Sequence, residues 1–217
     1  STDDWTDANV NGVEAIFRIP QRYGIVGTRE LVFSPDGTKL HAILGPLVFS
    51  ESGDNELRTG TEGFITLDWS LVEDTADGTL LFEDAVLSYT PLARGREEDQ
   101  GYRSDVSVGP SAFVLSADGS RAYVTNYNDN SLWILDLTAG ARGAVIQRVQ
   151  PLDEAPSEVA LSPDGRLAYV ANYIGWSRNI VTHSTIQVVD VDEASPTFGE
   201  VLTTLTNIDS RSARGCE

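Results

Sequence analysis

Methionine is missing from this chain, and cysteine and lysine each occur once. Each gap removes a class of protein. Without any Met, Ser1 is not a retained initiator, so the chain reads as a processed or excised product. The single Cys216 rules out an internal disulfide framework and reads as a free thiol, or as a residue that a following segment would bury. A membrane-spanning helix needs roughly 18 or more consecutive apolar residues; none is present, and no apolar leader stands ahead of Ser1. Basic side chains are scarce as well: 15 Lys and Arg stand against 33 Asp and Glu, for a net charge of −18. Phosphate recognition rests on clustered Lys and Arg, so nucleic acid and anionic membrane surfaces are excluded as partners. A Lys-poor, acid-rich surface fits an exported or salt-exposed protein. Catalytic signatures are missing too: there is no Gly-x-Ser-x-Gly elbow, no phosphate loop closing on Lys-Ser/Thr, no His-Glu-x-x-His and no Cys-x-x-Cys-His.

What the chain does have is a phrase used three times: Leu31-Val-Phe-Ser-Pro-Asp-Gly37, Phe113-Val-Leu-Ser-Ala-Asp-Gly119 and Val159-Ala-Leu-Ser-Pro-Asp-Gly165. Each is followed by a second apolar run. Ser-Pro/Ala-Asp-Gly makes a type I turn closed by a left-handed Gly, so each copy reads as strand, turn, strand. The second strand is Ala122-Tyr-Val-Thr-Asn126 in one copy, Ala168-Tyr-Val-Ala-Asn172 in another and a degenerate Leu40-His-Ala-Ile-Leu44 in the first. Tyr123-Val-Thr-Asn126 is the name-giving tetrapeptide of the YVTN β-propeller repeat family, which the chain therefore resembles. Asp118 and Asp164 lie 46 residues apart, one ordinary blade, and Asp36 and Asp118 lie 82 apart, one blade enlarged by insertions.

Third strands follow at Phe64-Ile-Thr-Leu67, Leu132-Trp-Ile-Leu-Asp-Leu137 and Ile186-Gln-Val-Val-Asp-Val191, apolar on both faces and so covered on both sides. Fourth strands are expected at Thr79–Phe82 or Ala85–Tyr89, at Ala144–Val149 and at Val201–Leu205. The expected fold class is all-β: four-stranded antiparallel blades around an axis, a partial propeller of about three blades. Its divisions are a tail and closing strand in 1–23, with the lone strand at Val13–Pro20, blades at 24–108, 109–154 and 155–207, and a connector to a missing blade in 208–217. From the alternation, Val32, Leu67, Val114, Tyr123, Ile134, Leu135, Ala160, Tyr169, Val188 and Val189 are expected to be buried. Known propellers have about four to eight blades, and an open arc leaves strand edges and blade faces uncovered. The chain is therefore expected to need another polypeptide that supplies further blades, or a self-associating copy.

Three long insertions fall at junctions that such a fold places on one end of the blades: 45–60, 91–103 and 173–183. They carry the candidate recognition residues Arg94, Arg96, Tyr102, Arg103, Trp176, Arg178 and His183, aromatic platforms with Arg forks suited to an acidic ligand or a partner protein. His41, in a strand, reads as a packed residue rather than a ligand. Asp7, Asn9 and Asn11 alternate ahead of Gly12 as in the first half of a calcium loop, but the twelfth position falls on Arg18, so an Asx-rich tail competes with that reading. No other cofactor is implied. The reading preferred from sequence is a non-catalytic, exported binding or assembly module, periplasmic, cell-surface or extracellular. The resemblance also implies two alternatives: part of a propeller enzyme, lactonase-like or a periplasmic dehydrogenase-type subunit, and a structural surface-layer component.

Overall fold

The computed structural model describes residues 26–46, 62–73, 85–92, 108–141, 143–173 and 184–208. These form three antiparallel four-stranded sheets, each a meander in chain order. Blade 1 holds β1 (Val26–Phe33), β2 (Lys39–Pro46), β3 (Gly63–Asp68) and β4 (Val86–Pro91). Blade 2 holds β5 (Pro110–Leu115), β6 (Arg121–Asn126), β7 (Ser131–Asp136) and β8 (Ala144–Val149). Blade 3 holds β9 (Pro156–Leu161), β10 (Leu167–Asn172), β11 (Ser184–Asp190) and β12 (Val201–Ile208). The one helix among the described residues is the short α1 (Trp69–Glu73). The all-β blade architecture expected from the sequence is present. The fourth strand of blade 1 is the later of the two expected segments; residues 79–82 and the expected lone strand at 13–20 lie outside the described residues.

The repeated turn explains itself chemically. In each copy the Asp side chain takes hydrogen bonds from the Ser two residues before it: Ser34 to Asp36, Ser116 to Asp118 and Ser162 to Asp164. It also takes the backbone amide two residues on, from Thr38, Ser120 and Arg166. The same Ser hydroxyl oxygen accepts the amide of Lys39, Arg121 or Leu167, which opens the returning strand. These bonds hold the Asp36 and Asp118 carboxyls down at about 2. Gly37, Gly119 and Gly165 all have φ near +70°, the region that glycine enters without strain.

The core lies between sheets. One cluster joins blade 1 (Ile43, Phe64, Leu92) to blade 2 (Phe113, Val124, Trp133, Leu135). A second joins blade 2 (Tyr123, Leu132, Ile134, Val149) to blade 3 (Ala168, Val170, Val189, Val191). Of the expected core, Leu67, Tyr123, Ile134, Leu135, Val188 and Val189 are buried. Val32 and Val114 are half-buried, and Ala160 and Tyr169 are exposed. The last two point away from blade 2, on the face of blade 3 that the described residues leave open, where the alternation argument assumed a neighbour.

Candidate functional site at the blade axis

Adjacent blades approach most closely at their first strands: β5 lies against β1 and β2, and β9 against β5 and β6. The three sheets therefore fan out from β1, β5 and β9. Each of these strands carries a bulge at the same place, because the register skips between Thr28 and Glu30, between Pro110 and Ala112, and between Pro156 and Glu158. Arg29, Ser111 and Ser157 are the inserted residues. A bulge re-aims the side chains beside it and ends regular pairing, which is why bulges collect at barrel rims and near active sites.

Beside these bulges stand Glu30 and Glu158, equivalent positions in blades 1 and 3, with Ala112 between them in blade 2. Glu30 reaches across the seam and accepts the backbone N–H of Phe113 at 2.6 Å. Burial raises its carboxyl above the ordinary 4.5; the Phe113 bond pulls the other way, and the charge of Glu158 adds to the rise. Glu158 is exposed. The site thus holds two carboxyl groups close enough to sense each other, one half-buried and the other open to water. The Ser111 hydroxyl, 2.7 Å from the carbonyl of Pro156 and 2.9 Å from the Thr125 hydroxyl, is engaged in joining blade 2 to blade 3 and is not a free nucleophile.

A second polar layer lies where the second strands end. The Asn126 amide nitrogen donates to the Val124 carbonyl, and that of Asn172 donates to Gln187 Oε1 at 3.1 Å. In both residues the buried side-chain carbonyl oxygen has no bond. The same position of two repeats thus keeps an unused acceptor. Beyond it, the Glu62 carboxyl receives the amides of Val108 and Gly109 at the entry to blade 2, while Asn130 Oδ1 receives the amide of Ala155 at the entry to blade 3. Gly109 and Ala155 both have positive φ, +63° and +57°, which turns those amides toward the clasp. His41 is packed in the first seam, as expected, with Nδ1 3.0 Å from the Thr66 hydroxyl and its ring beside Phe64. Burial, helped by Lys39 and opposed by Asp36, lowers it to about 4, so the ring is neutral at ordinary pH.

The recognition residues expected from sequence, Arg94, Arg96, Tyr102, Arg103, Trp176, Arg178 and His183, lie outside the described residues, as do the calcium candidates Asp7, Asn9 and Asn11. The strand ends that flank the three insertions, among them Pro46, Pro91, Pro110 and Asn172, all lie at one end of the blades. The Asp36, Asp118 and Asp164 turns close the other end. Sequence reasoning overlooked Glu30 and Glu158. The signal was available: aligned on their turns, the first and third copies read Glu-Leu-Val-Phe-Ser-Pro-Asp-Gly and Glu-Val-Ala-Leu-Ser-Pro-Asp-Gly.

No family model matches the sequence, and no curated protein is similar enough to count as a relative. Solved structures are more informative. The chain is similar to the periplasmic gluconolactonase of Pseudomonas aeruginosa, with 25% identity and a TM-score of 0.55, over 88% of this chain and 42% of that one. A protein of Bacteroides uniformis provisionally assigned as a 6-phosphogluconolactonase gives 20% identity, a TM-score of 0.48, and coverage of 85% and 40%. Kuenenia stuttgartiensis hydrazine synthase gives 18%, 0.47, and 76% and 45%. The chain thus spans less than half the length of each of these three structures.

The fold is that of a β-propeller. The expectation of a non-catalytic binding or assembly module is overturned: a likeness at 25% identity and a TM-score of 0.55 is to an enzyme. The physical reason is that the missing short motifs carry little weight here. A propeller can build a site from side chains on several blades, at no fixed spacing along the chain.

Proposed function

We propose that this chain contributes axis-lining residues to an exported, YVTN-type propeller hydrolase that opens lactones of sugar acids. The observation behind this reading is the pair of glutamates at equivalent bulges of two blades, Glu30 half-buried and bonded to the Phe113 amide across the seam, Glu158 exposed, in a fold similar to that of a gluconolactonase. Opening a lactone needs one group to take a proton from water as its oxygen bonds to the acyl carbon. A second must protonate the ring oxygen as the acyl C–O bond breaks. Acid–base pairs do this when their environments push their protonation apart. Glu30, held toward its protonated form by burial, suits the leaving oxygen; Glu158, facing water, suits the attack.

The test is hydrolysis of glucono-1,5-lactone by the polypeptide that carries this chain, followed by acid release at constant pH. Glu30→Gln and Glu158→Gln should each lower kcat by about 100-fold or more with little change in KM, since general acid–base catalysis contributes roughly 10²–10⁴-fold. A wild-type protein that does not open the lactone, or an E30Q variant as fast as wild type, rejects the reading.

A further inference from the structure

Tyr127 and Tyr173 hold the same place in blades 2 and 3. Each directly follows the asparagine that ends the second strand, and each is exposed, 43% and 47%, although that asparagine is buried. Single surface aromatics are ordinary. These two are fixed in the same way, and they stand at the end of the blades where the insertions attach, the end to which the glutamate bulges are nearer. The Tyr127 N–H donates to the Gly109 carbonyl at 2.7 Å, and the Tyr173 N–H to the Ala155 carbonyl at 2.9 Å. Those carbonyls belong to the two residues of positive φ whose own amides are held by Glu62 and Asn130. At Ala155 this conformation strains the backbone, and such strain collects around ligand clamps.

Strand register sets the tyrosines beside the acid pair. Glu158 pairs with Ala171, and Ala112 with Thr125. Tyr173 and Tyr127 stand two residues beyond those partners, the step that brings an extended chain back to the same face. In blade 1 the partner of Glu30 is Ile43, and the residue two beyond it is Gly45, so that place carries no ring. Equivalent positions of packed sheets lie about 10 Å apart. A flat ring in van der Waals contact on both sides needs about 7–8 Å, so the two tyrosines leave room for one ring between them. Among the described residues, neither hydroxyl is hydrogen-bonded.

We infer that Tyr127 and Tyr173 form a stacking slot that holds the closed sugar ring of the substrate and not the open-chain product. The inference rests on the lactonase reading for the identity of the ring, and adds which form of it is held and by what. The C–H groups on one face of a sugar ring pack against the negative face of an aromatic ring. A 1,5-lactone presents that face rigidly. Hydrolysis opens the ring, so the acid must give up rotational freedom to stack, and its new carboxylate meets the like charge of Glu158. The slot therefore draws in the lactone and lets the acid go.

Calorimetric titration with glucono-1,5-lactam, which keeps the ring and resists hydrolysis, tests the slot without turnover, on the polypeptide that carries this chain. Tyr127→Ala and Tyr173→Ala should each weaken lactam binding about tenfold, and Phe at either place should keep it, since stacking needs the ring and not the hydroxyl. Open-chain gluconate should bind the wild type at least about tenfold more weakly than the lactam does, and should lose little in either Ala variant. With glucono-1,5-lactone as substrate, both Ala variants should raise KM about tenfold at nearly unchanged kcat, the mark of binding shared by ground and transition states. Leu87→Ala, at a residue 41% exposed on the outer strand β4, should change neither constant. If an Ala variant loses its β-sheet circular dichroism, the Gln variant is measured in its place. A lactam that does not bind the wild type, or that binds both Ala variants as tightly, overturns the inference, and the lactonase reading stands if the lactone is still opened. A lactam held through both tyrosines by a protein that opens no lactone supports the slot and rejects the lactonase reading alone.

Discussion

Tyr123 and Tyr169 occupy the same place in two copies of one motif, yet the first is 5% exposed and the second 38%. Blade 2 lies between two neighbours, and blade 3, among the described residues, has one. The sequences of their second strands, Ala-Tyr-Val-Thr-Asn and Ala-Tyr-Val-Ala-Asn, differ at a single residue, so nothing local accounts for the difference. In a repeat fold, burial belongs to the contact between units rather than to the motif. The repeat determines which way a side chain points, and the neighbouring repeat determines whether it meets protein or water.

The strongest test of this contrast compares two equivalent residues of the third strands. Ile134 pairs with Tyr123 and is fully buried in the seam between blades 2 and 3. Val188 pairs with Tyr169 on the open face. Ile134→Ala should cost about 2–5 kcal/mol, because it leaves a cavity that rigid sheets on both sides cannot close. Val188→Ala should cost clearly less, since water and neighbouring side chains can fill the space. Urea denaturation monitored by circular dichroism gives both values. Equal costs would show that blade 3 is covered as fully as blade 2.

A second comparison sets the two seams against each other. The position held by Tyr123 in the second seam is held by His41 in the first, where it is fully packed against Phe64. Its folded value of about 4 lies below the ordinary 6.5. Between these values the unfolded chain binds a proton that the folded chain does not, so stability falls as pH drops from about 6.5 toward 4. The difference approaches about 3 kcal/mol at the acid end. Replacing His41 with the tyrosine that the other blades carry should remove this part of the acid sensitivity, whatever it does to stability at neutral pH. Denaturation midpoints at neutral and acid pH for wild type and His41→Tyr are the measurement; parallel slopes would mean that His41 is not held neutral by the seam.

How far such features could be read from sequence depends on what fixes them. The turns were fully legible, because Ser, Asp and Gly act on their own backbone within six residues, and the structure forms every bond that their spacing implies. The two-sided burial of the third strands was legible too, since their apolar runs report cover without needing to know its source. Ala160 and Tyr169 were not, because their environment is set by a unit that the local pattern does not describe. Glu30 and Glu158 were legible only as a Glu shared by two copies at the same distance from the turn; what the position does lies in the bond of Glu30 to Phe113 across a seam, which the local pattern does not describe. The recognition residues, from Arg94 to His183, stand in insertions, and insertions are where local pattern says least about position.

The smallest expected effect concerns the clasps at the entries to blades 2 and 3, which have the same geometry and different chemistry. At the first, the Glu62 carboxyl holds the amides of Val108 and Gly109, with the closest contact at 2.8 Å. At the second, the Asn130 amide oxygen holds the single amide of Ala155 at 3.1 Å. Hydrogen bonds to a charged acceptor contribute about 1.5–3 kcal/mol and neutral ones about 0.5–1.5. Glu62→Ala also strands two buried amides, whereas Asn130→Ala strands one, that of Ala155. Glu62→Ala should therefore destabilise the chain more than Asn130→Ala, by a margin on the order of 1 kcal/mol. Native-state hydrogen exchange would locate the loss, at Val108 and Gly109 in the first variant and at Ala155 in the second. If Asn130→Ala proves the more costly, the clasp acts through the positive φ of Asn130 itself, and backbone strain rather than hydrogen bonding sets how one blade is handed to the next.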